Sequence, residues 1–391
     1  MSDVPSITVT PTSSGFEIRW PDGFSSMFHW IWLRDNCRCA ACGEPEAGRR
    51  QSKITIIPDE LTPKSTTTQD DTLYITWSDQ HESHFDGAWL RSNAYDEISR
   101  QARAFTPHVW TNAVREKPPI VEYDAVANDD GAFLDMLHTI KHHGLCFVSG
   151  APAEPGILES FAAKIGPIQE SNFGRIQDLI LDVARGQVAQ SAVALRPHTD
   201  EPYRASPPGL LLFHCIETDQ DGAGASLFAD GFELAEVLRT EDAESFDVLA
   251  KYPQAFRRHY PGDVDLIAEF PILTVDPFGN LAGVRINDRV AAPLSIPTDI
   301  VPVYYRALRR LVALLEDESY SIKKILSPGE IAIFDNHRVL HGRTELTMTR
   351  QRWLQWMQIE RGDFHSTMRI LADQIQRPRE TVPLMRGAYG W

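Results

Sequence analysis

Two stretches of this 391-residue chain hold side chains that bind metal in combination. In ALRPHTDEPYR, residues 194–204, His198 stands two residues ahead of Asp200, between an apolar run and a Pro-Tyr turn. On a β-strand, residues i and i+2 share a face, so an imidazole nitrogen and a carboxylate oxygen can reach one ion. In GEIAIFDNHRVLHGRTEL, residues 329–346, IAIF reads as a strand and DN as a turn. His341 there precedes Gly342, where the chain can pass close to a metal. His198, Asp200 and His341 make a two-histidine, one-carboxylate set. Such a set takes one face of six-coordinate Fe(II) and leaves the rest for O₂ and a bidentate organic ligand. Eleven residues past His341, Arg352 opens RWLQWMQIE, and a guanidinium there can pair two-pronged with a carboxylate. Arg350 competes for that role, and spacing alone does not separate the two. Upstream, GAGASLFADGF sets Ser226 just after an expected strand, where a hydroxyl can take a second carboxylate oxygen.

A second pattern lies near the N-terminus. LRDNCRCAACGEP bunches Cys37, Cys39 and Cys42. Three thiolates need a fourth ligand for tetrahedral zinc, and a closed four-ligand site is structural. His81 and His84, in WSDQHESHFDGAWL, are the candidates. Such a site fixes loops that lack a core of their own. Cys146 and Cys215 sit alone in apolar, strand-like runs, so the five cysteines form no disulfide framework.

The elements that must position these groups read mainly as short strands. Within residues 1–100, SITVTPTSSGFEIRW, KITIIPD and DTLYITW are rich in β-branched and aromatic residues and divided by turn signals. A polar, proline-bearing stretch at 101–124 reads as a crossover. DGAFLDMLHTIKHHG and GILESFAAKIG follow as helices, the first capped by Gly144 ahead of the strand LCFVSG. From 190 onward short strands dominate again, broken by one long helix in DIVPVYYRALRRLVALLEDES, with Val301, Tyr304, Leu308, Leu311 and Leu315 at helical spacing. Many short strands around a pocket predict a barrel or jelly roll. Hydrophobic residues at 42% are ordinary for a globular chain. A net charge of −16 argues against nucleic acid. No apolar run approaches a membrane span, and the first ten residues are no signal peptide, so a cytoplasmic enzyme is expected.

These motifs resemble those of the Fe(II)/2-oxoglutarate dioxygenases of the taurine dioxygenase and γ-butyrobetaine dioxygenase group. HTD, PPGLLLFHC, SLFADGF, FDNHRVLHGR and the arginine strand ending ERGD carry the likeness, which spans nearly the whole chain. It implies a mainly β fold with flanking helices. A double-stranded β-helix (jelly-roll) catalytic domain at 125–391 would follow a small β-rich N-terminal zinc-binding domain at 1–100, with 101–124 as the linker. It further implies Fe(II) on His198, Asp200 and His341, and 2-oxoglutarate held by Arg352 rather than Arg350, with Ser226 beside it. O₂ would be the oxidant, ascorbate a stimulant, and structural Zn(II) would sit on Cys37, Cys39, Cys42 and His81. A homodimer acting on a small molecule is expected. The γ-butyrobetaine enzymes bind a trimethylammonium in an aromatic cage and a carboxylate by amides, and Tyr203 and Asn287 keep parts of that pocket. Elsewhere the chain departs from the pattern. Gln187 and Gln190 replace an Asn-x-x-Tyr pair, Gln177 follows a retained Phe173, and Gln358 replaces a tyrosine, with Trp356 as a substitute wall. Arg289 and Arg175 are added. A weaker cage with more donors suits (2-trimethylaminoethyl)phosphonate, and γ-butyrobetaine is the alternative. A zinc hydrolase would leave Arg352 and Ser226 without a task. A non-catalytic zinc-binding interaction protein would leave HTD and HGR idle.

Overall fold

The computed structural model describes residues 7–44, 49–182, 187–188, 193–218, 224–346 and 352–378. The chain forms two compact units, Met1–Ala104 and Phe105–Trp391.

The first unit holds two three-stranded antiparallel sheets. One runs Thr8–Pro11, Gly15–Arg19, Ser25–His29; the other Pro63–Gln69, Thr72–Trp77, Glu82–Asp86. Alternation selects the inward faces: Phe16 and Ile18 from the first, Leu73, Ile75 and Trp77 from the second, all buried, with Tyr74 turned outward. KITIIPD is not a strand. Ile54–Ile56 forms a 3₁₀ turn with Ile54 and Ile56 exposed, and only Ile57 is buried. Among the described residues no strand pairs with its β-branched residues, and β-propensity expresses fit to a pleated, half-buried surface rather than a backbone preference. Two helices absent from the strand reading, Gly87–Ser92 and Glu97–Ala102, start at Asp86 and Asp96, whose side chains accept from Trp89 N and Ser99 N.

The second unit is a jelly roll of two facing sheets, antiparallel except where the edge strand Ile120–Glu122 runs parallel to Leu145–Ser149, and it is mainly β with flanking helices. A four-stranded sheet orders Leu195–His198, Val339–Arg343, Ser226–Asp230 and Ser321–Lys324. Opposite it, the large sheet centres on Leu210–Thr218, Ile331–Asp335 and Arg352–Ile359. Phe228 from the small sheet packs edge-on against Phe147 and Phe334 from the large one, with centroids 5.6 and 5.4 Å apart, which sets the sheet spacing. Asp130–His143 is a helix, capped by Asp129 and closed by Gly144 at φ 75°. A Cβ at Gly144 would meet Arg338 and Val339 at 2.9 Å, so both conformation and crowding demand glycine. The helix Val301–Glu316 buries Tyr304, Ala307, Leu311, Leu314 and Leu315. Helices Gly231–Glu241, Ala243–Lys251 and Arg361–Gln374 break what reads as strand-only sequence, each begun by an acidic cap at Asp230, Asp242 or Glu360. Among the described residues, no helix is long and apolar enough to cross a membrane.

Candidate active site

His198 ends its strand and faces His341 as its direct ladder partner. That pairing, more than the His-x-Asp spacing, brings the two rings together, with centroids 4.6 Å apart. Asp200 lies beyond the strand end, in a bend, so the expected shared strand face does not place it. The neighbouring loops do. Asp200 N donates to Asn336 Oδ1 at 2.8 Å, and Asn336 Nδ2 donates back to Asp200 O at 3.1 Å. Thr199 N donates to Ile286 O at 2.8 Å, and Ile286 N donates to Thr199 Oγ1 at 3.0 Å. His198 Nε2 and His341 Nε2 then stand 3.3 and 3.4 Å from the two oxygens of Asp200. Cis ligands of an ion with ~2.1 Å bonds lie about 3 Å apart, so the donor set fits a divalent metal on one octahedral face. His198 Nδ1 lies 2.9 Å from Arg196 O. A proton on Nδ1 shared with that carbonyl leaves Nε2 as the lone-pair nitrogen. Burial would raise the Asp200 carboxyl, but His341 and His198 beside it hold it well below the usual carboxylate range. Burial lowers His341, so carboxylate and neutral imidazole coexist. Gly342 serves packing rather than the metal: a Cβ there would strike Leu195 O at 2.4 Å.

The triad opens into a cavity of about 230 Å³. Alternation along Arg352–Ile359 sends Arg352, Leu354 and Trp356 to its wall. Arg352 has no hydrogen-bond or ion-pair partner among the described residues, and burial pulls its guanidinium down to about 10, still charged at neutral pH. Ser226, buried, opens its strand rather than following one, and lines the same cavity. So do Tyr203, Asn287, Arg289, Phe173 and Gln177. Asn287 is partly committed: its Oδ1 accepts from Arg289 N at 3.2 Å and its Nδ2 donates to Thr199 O at 3.3 Å.

Other expected positions fall elsewhere. Gln358 is buried outside the cavity lining, opposite Leu211 in the ladder, and is no cage wall. Arg175 is exposed and pairs with Glu159 at 2.9 Å, outside the lining. Gln187 pairs with Asp182 in a short ladder; its side chain, Gln190 and Arg350 lie outside the described residues. The sequence reading missed Glu201, Arg258, Arg343 and Phe213 in the lining and Asn336 behind it. Asn336 and Arg343 belong to the FDNHRVLHGR motif and were legible there; Arg258 had no signal.

In the first unit, Cys37, Cys39, Cys42 and His81 converge. Their sulfurs stand 3.3, 3.6 and 3.4 Å from His81 Nε2. Tetrahedral zinc with ~2.3 Å sulfur and ~2.0 Å nitrogen bonds requires about 3.5 Å, so the set fits zinc. Arg34, buried, pairs with Asp79 at 3.0 Å, and Asp79 accepts from the His81 backbone N–H at 3.0 Å, which fixes the turn that carries His81. His84 is exposed, tilted against Tyr74.

Residues 101–358 match the family described as taurine catabolism dioxygenase TauD, TfdA. Residues 7–91 match the gamma-butyrobetaine hydroxylase-like N-terminal family. The chain is 32% identical over 375 residues to the gamma-butyrobetaine dioxygenase of Pseudomonas sp. (strain AK-1), covering 94% of this chain and 96% of that protein. It is 29% identical over 375 residues to the trimethyllysine dioxygenase of Meyerozyma guilliermondii, covering 90% and 92%. It is 30% identical over 357 residues to the mitochondrial trimethyllysine dioxygenase of Homo sapiens, covering 89% and 83%.

Proposed function

The chain belongs to the taurine catabolism dioxygenase TauD, TfdA family, and on that premise we propose that it hydroxylates a small trimethylammonium zwitterion, (2-trimethylaminoethyl)phosphonate, at the carbon beside phosphorus. The protein is an iron- and 2-oxoglutarate-dependent dioxygenase. The relatives named above act, by their names, on gamma-butyrobetaine and trimethyllysine, which supports the cationic half of the substrate.

Iron bound with 2-oxoglutarate supplies O₂ activation and C–H oxidation, the co-substrate leaving as succinate and CO₂. The protein's part is position and dryness. His198, Asp200 and His341 would hold the metal. Arg352 would take the distal carboxylate of 2-oxoglutarate, with Ser226 on its other oxygen. Phe213, Leu354 and Trp356 keep water from the reacting carbon. Tyr203 and Trp356 offer faces to the trimethylammonium, a contact of ~0.5–2 kcal/mol. Asn287 and Arg289 stand on the same wall for the anion.

The observation that carries the phosphonate reading is the surplus of guanidinium. Arg258, Arg289, Arg343 and Arg352 all line one cavity, more than the dianionic co-substrate needs. A phosphonate's extra charge and oxygen reward a guanidinium fork more than a carboxylate does. Substrate-dependent succinate release should be compared between (2-trimethylaminoethyl)phosphonate and γ-butyrobetaine. A tenfold or greater preference for the carboxylate would assign the enzyme to carnitine formation instead. Stimulation by neither would remove the quaternary-ammonium reading and leave the iron chemistry standing. The four-ligand thiolate site would be structural zinc, and the enzyme a homodimer.

A further inference from the structure

Two oppositely charged side chains in the cavity wall are used neither by the triad nor by the co-substrate. Asp200 and Glu201 are the carboxylates among the described lining residues. Glu201 is 4% exposed, its Oε2 pairs with Arg204, and its Oε1 has no hydrogen-bond partner among the described residues. It also holds φ at 51°, a left-handed conformation that a non-glycine residue keeps only when its surroundings impose it.

Arg258 reaches the same cavity from the ribbon of strands Pro253–Tyr260 and Val264–Pro271. Arg257 and His259 turn outward to Asp265, so alternation turns Arg258 inward. Its terminal nitrogen meets the Tyr260 hydroxyl, while its Nε is buried without a partner among the described residues. The ribbon is fixed beside the turn that carries Arg289. Phe256 bridges Ala291, Ala292 N donates to Ala255 O at 2.8 Å, and Gln254 Nε2 donates to Ala292 O at 2.8 Å. The positive charge of Arg258 bears on Glu201 and Tyr203 together. Even so, no ion pair joins Arg258 to Glu201 among the described residues. Glu201 keeps Arg204 as its counter-ion, whereas half-buried Arg258 has no carboxylate partner among the described residues, so a ligand anion beside Arg258 supplies the counter-charge that the wall lacks.

Building on the proposed function, we infer that Glu201 and Arg258 together read a zwitterion: the Glu201 carboxylate, set in the cavity wall, draws the onium by its charge, and Arg258 shares the anion with Arg289. An onium donates no hydrogen bond, so a carboxylate oxygen serves it by charge alone while Tyr203 supplies a π face. The charge of Arg343 disfavours that of Arg352, as fits a dianionic co-substrate, and the charge of Arg289 bears on Arg343 in turn, so the guanidinium row is continuous from the co-substrate end to the substrate anion.

The test is calorimetric titration of iron-loaded enzyme with 2-oxoglutarate under anaerobic conditions, so that binding is read without turnover. The ligands are (2-trimethylaminoethyl)phosphonate, γ-butyrobetaine and the cation-only n-propyltrimethylammonium. Arg258→Gln should weaken both zwitterions roughly 30-fold or more, the phosphonate most. It should leave the cation-only ligand and 2-oxoglutarate at wild-type affinity. Arg258→Lys should recover part of the loss, and provides the test if Arg258→Gln does not fold. Glu201→Gln should weaken all three onium ligands. Wild-type zwitterion affinity in Arg258→Gln, or an equal loss for the cation-only ligand, overturns the inference alone. Failure of the wild-type enzyme to bind either zwitterion overturns the inference and the proposed substrate together.

Discussion

Replacing Asn336 with alanine should weaken iron binding without touching a ligand. Asn336 is 1% exposed and makes three side-chain hydrogen bonds to backbone: from Asp200 N at 2.8 Å, to Asp200 O at 3.1 Å and to Pro208 O at 3.1 Å. Truncation leaves one N–H and two carbonyls without partners. At ~1 kcal/mol net for each bond, the loss is about 3 kcal/mol, more where no water enters. Its own backbone N–H still donates to Gly209 O at 2.8 Å, so the turn itself survives. The consequence falls on Asp200, whose two oxygens are aimed at His198 and His341. Loss of such an outer partner typically costs ~10–100-fold in metal affinity. Competition against a chromophoric chelator measures that affinity, and thermal unfolding of the metal-free protein measures the stability term. Asn336→Asp keeps the acceptor, loses both donated bonds and adds a charge beside Asp200, so it should be the worse metal binder of the two. A folded Asn336→Ala protein with wild-type iron affinity would refute the reasoning, because Asp200 would then be held by Thr199 and its neighbours alone.

Arg352→Ala should raise the 2-oxoglutarate requirement roughly 30-fold or more, since truncating one side of a buried charge-assisted pair costs ~2–5 kcal/mol. Arg350→Ala should change little, and the reverse result in co-substrate titrations would assign the other arginine. Metal analysis should find about one zinc per chain that survives mild iron chelation, and Cys39→Ser should lower its retention and the protein's solubility before its chemistry; an active, zinc-free preparation contradicts this. Burial pushes His214 and His337 down to about 4, below the ~6.5 of an unfolded histidine. Their neutral-state contribution is therefore full above pH 6.5 and is lost as pH falls toward 4, up to about 3 kcal/mol each. Melting temperatures should drop between pH 7 and 5, less so in His214→Leu, and a flat profile would count against buried neutral rings.

The donor types of both clusters were legible because metal chemistry restricts them to so few side chains. Their geometry was legible only in part. His-x-Asp suggested a shared strand face, yet the strand stops at His198 and Asp200 is placed by Asn336 and Thr199. What joins His198 to His341 is a ladder pairing across more than a hundred residues of chain, which no local spacing encodes. Period-2 counting succeeded from Arg352 to Trp356 but not at Gln358, which shares their parity and lies outside the lining. Parity gives the face of a sheet; where along that face a cavity ends depends on the elements packed over it. The KITIIPD segment failed for a related reason. Composition fits a strand, but a strand exists only where a neighbour pairs with it, and Ile54–Ile56 has none among the described residues. Arg258 is the extreme case: nothing in QAFRRHY marks one of its two arginines as facing a cavity. Its placement follows from the bridge between Phe256 and Ala291 and from strand alternation, which sends Arg257 to Asp265 and leaves Arg258 to the cavity. Side chains that bind a metal are constrained in type and so can be read early. Side chains that select a substrate are constrained mainly in position, and position is what long-range pairing decides.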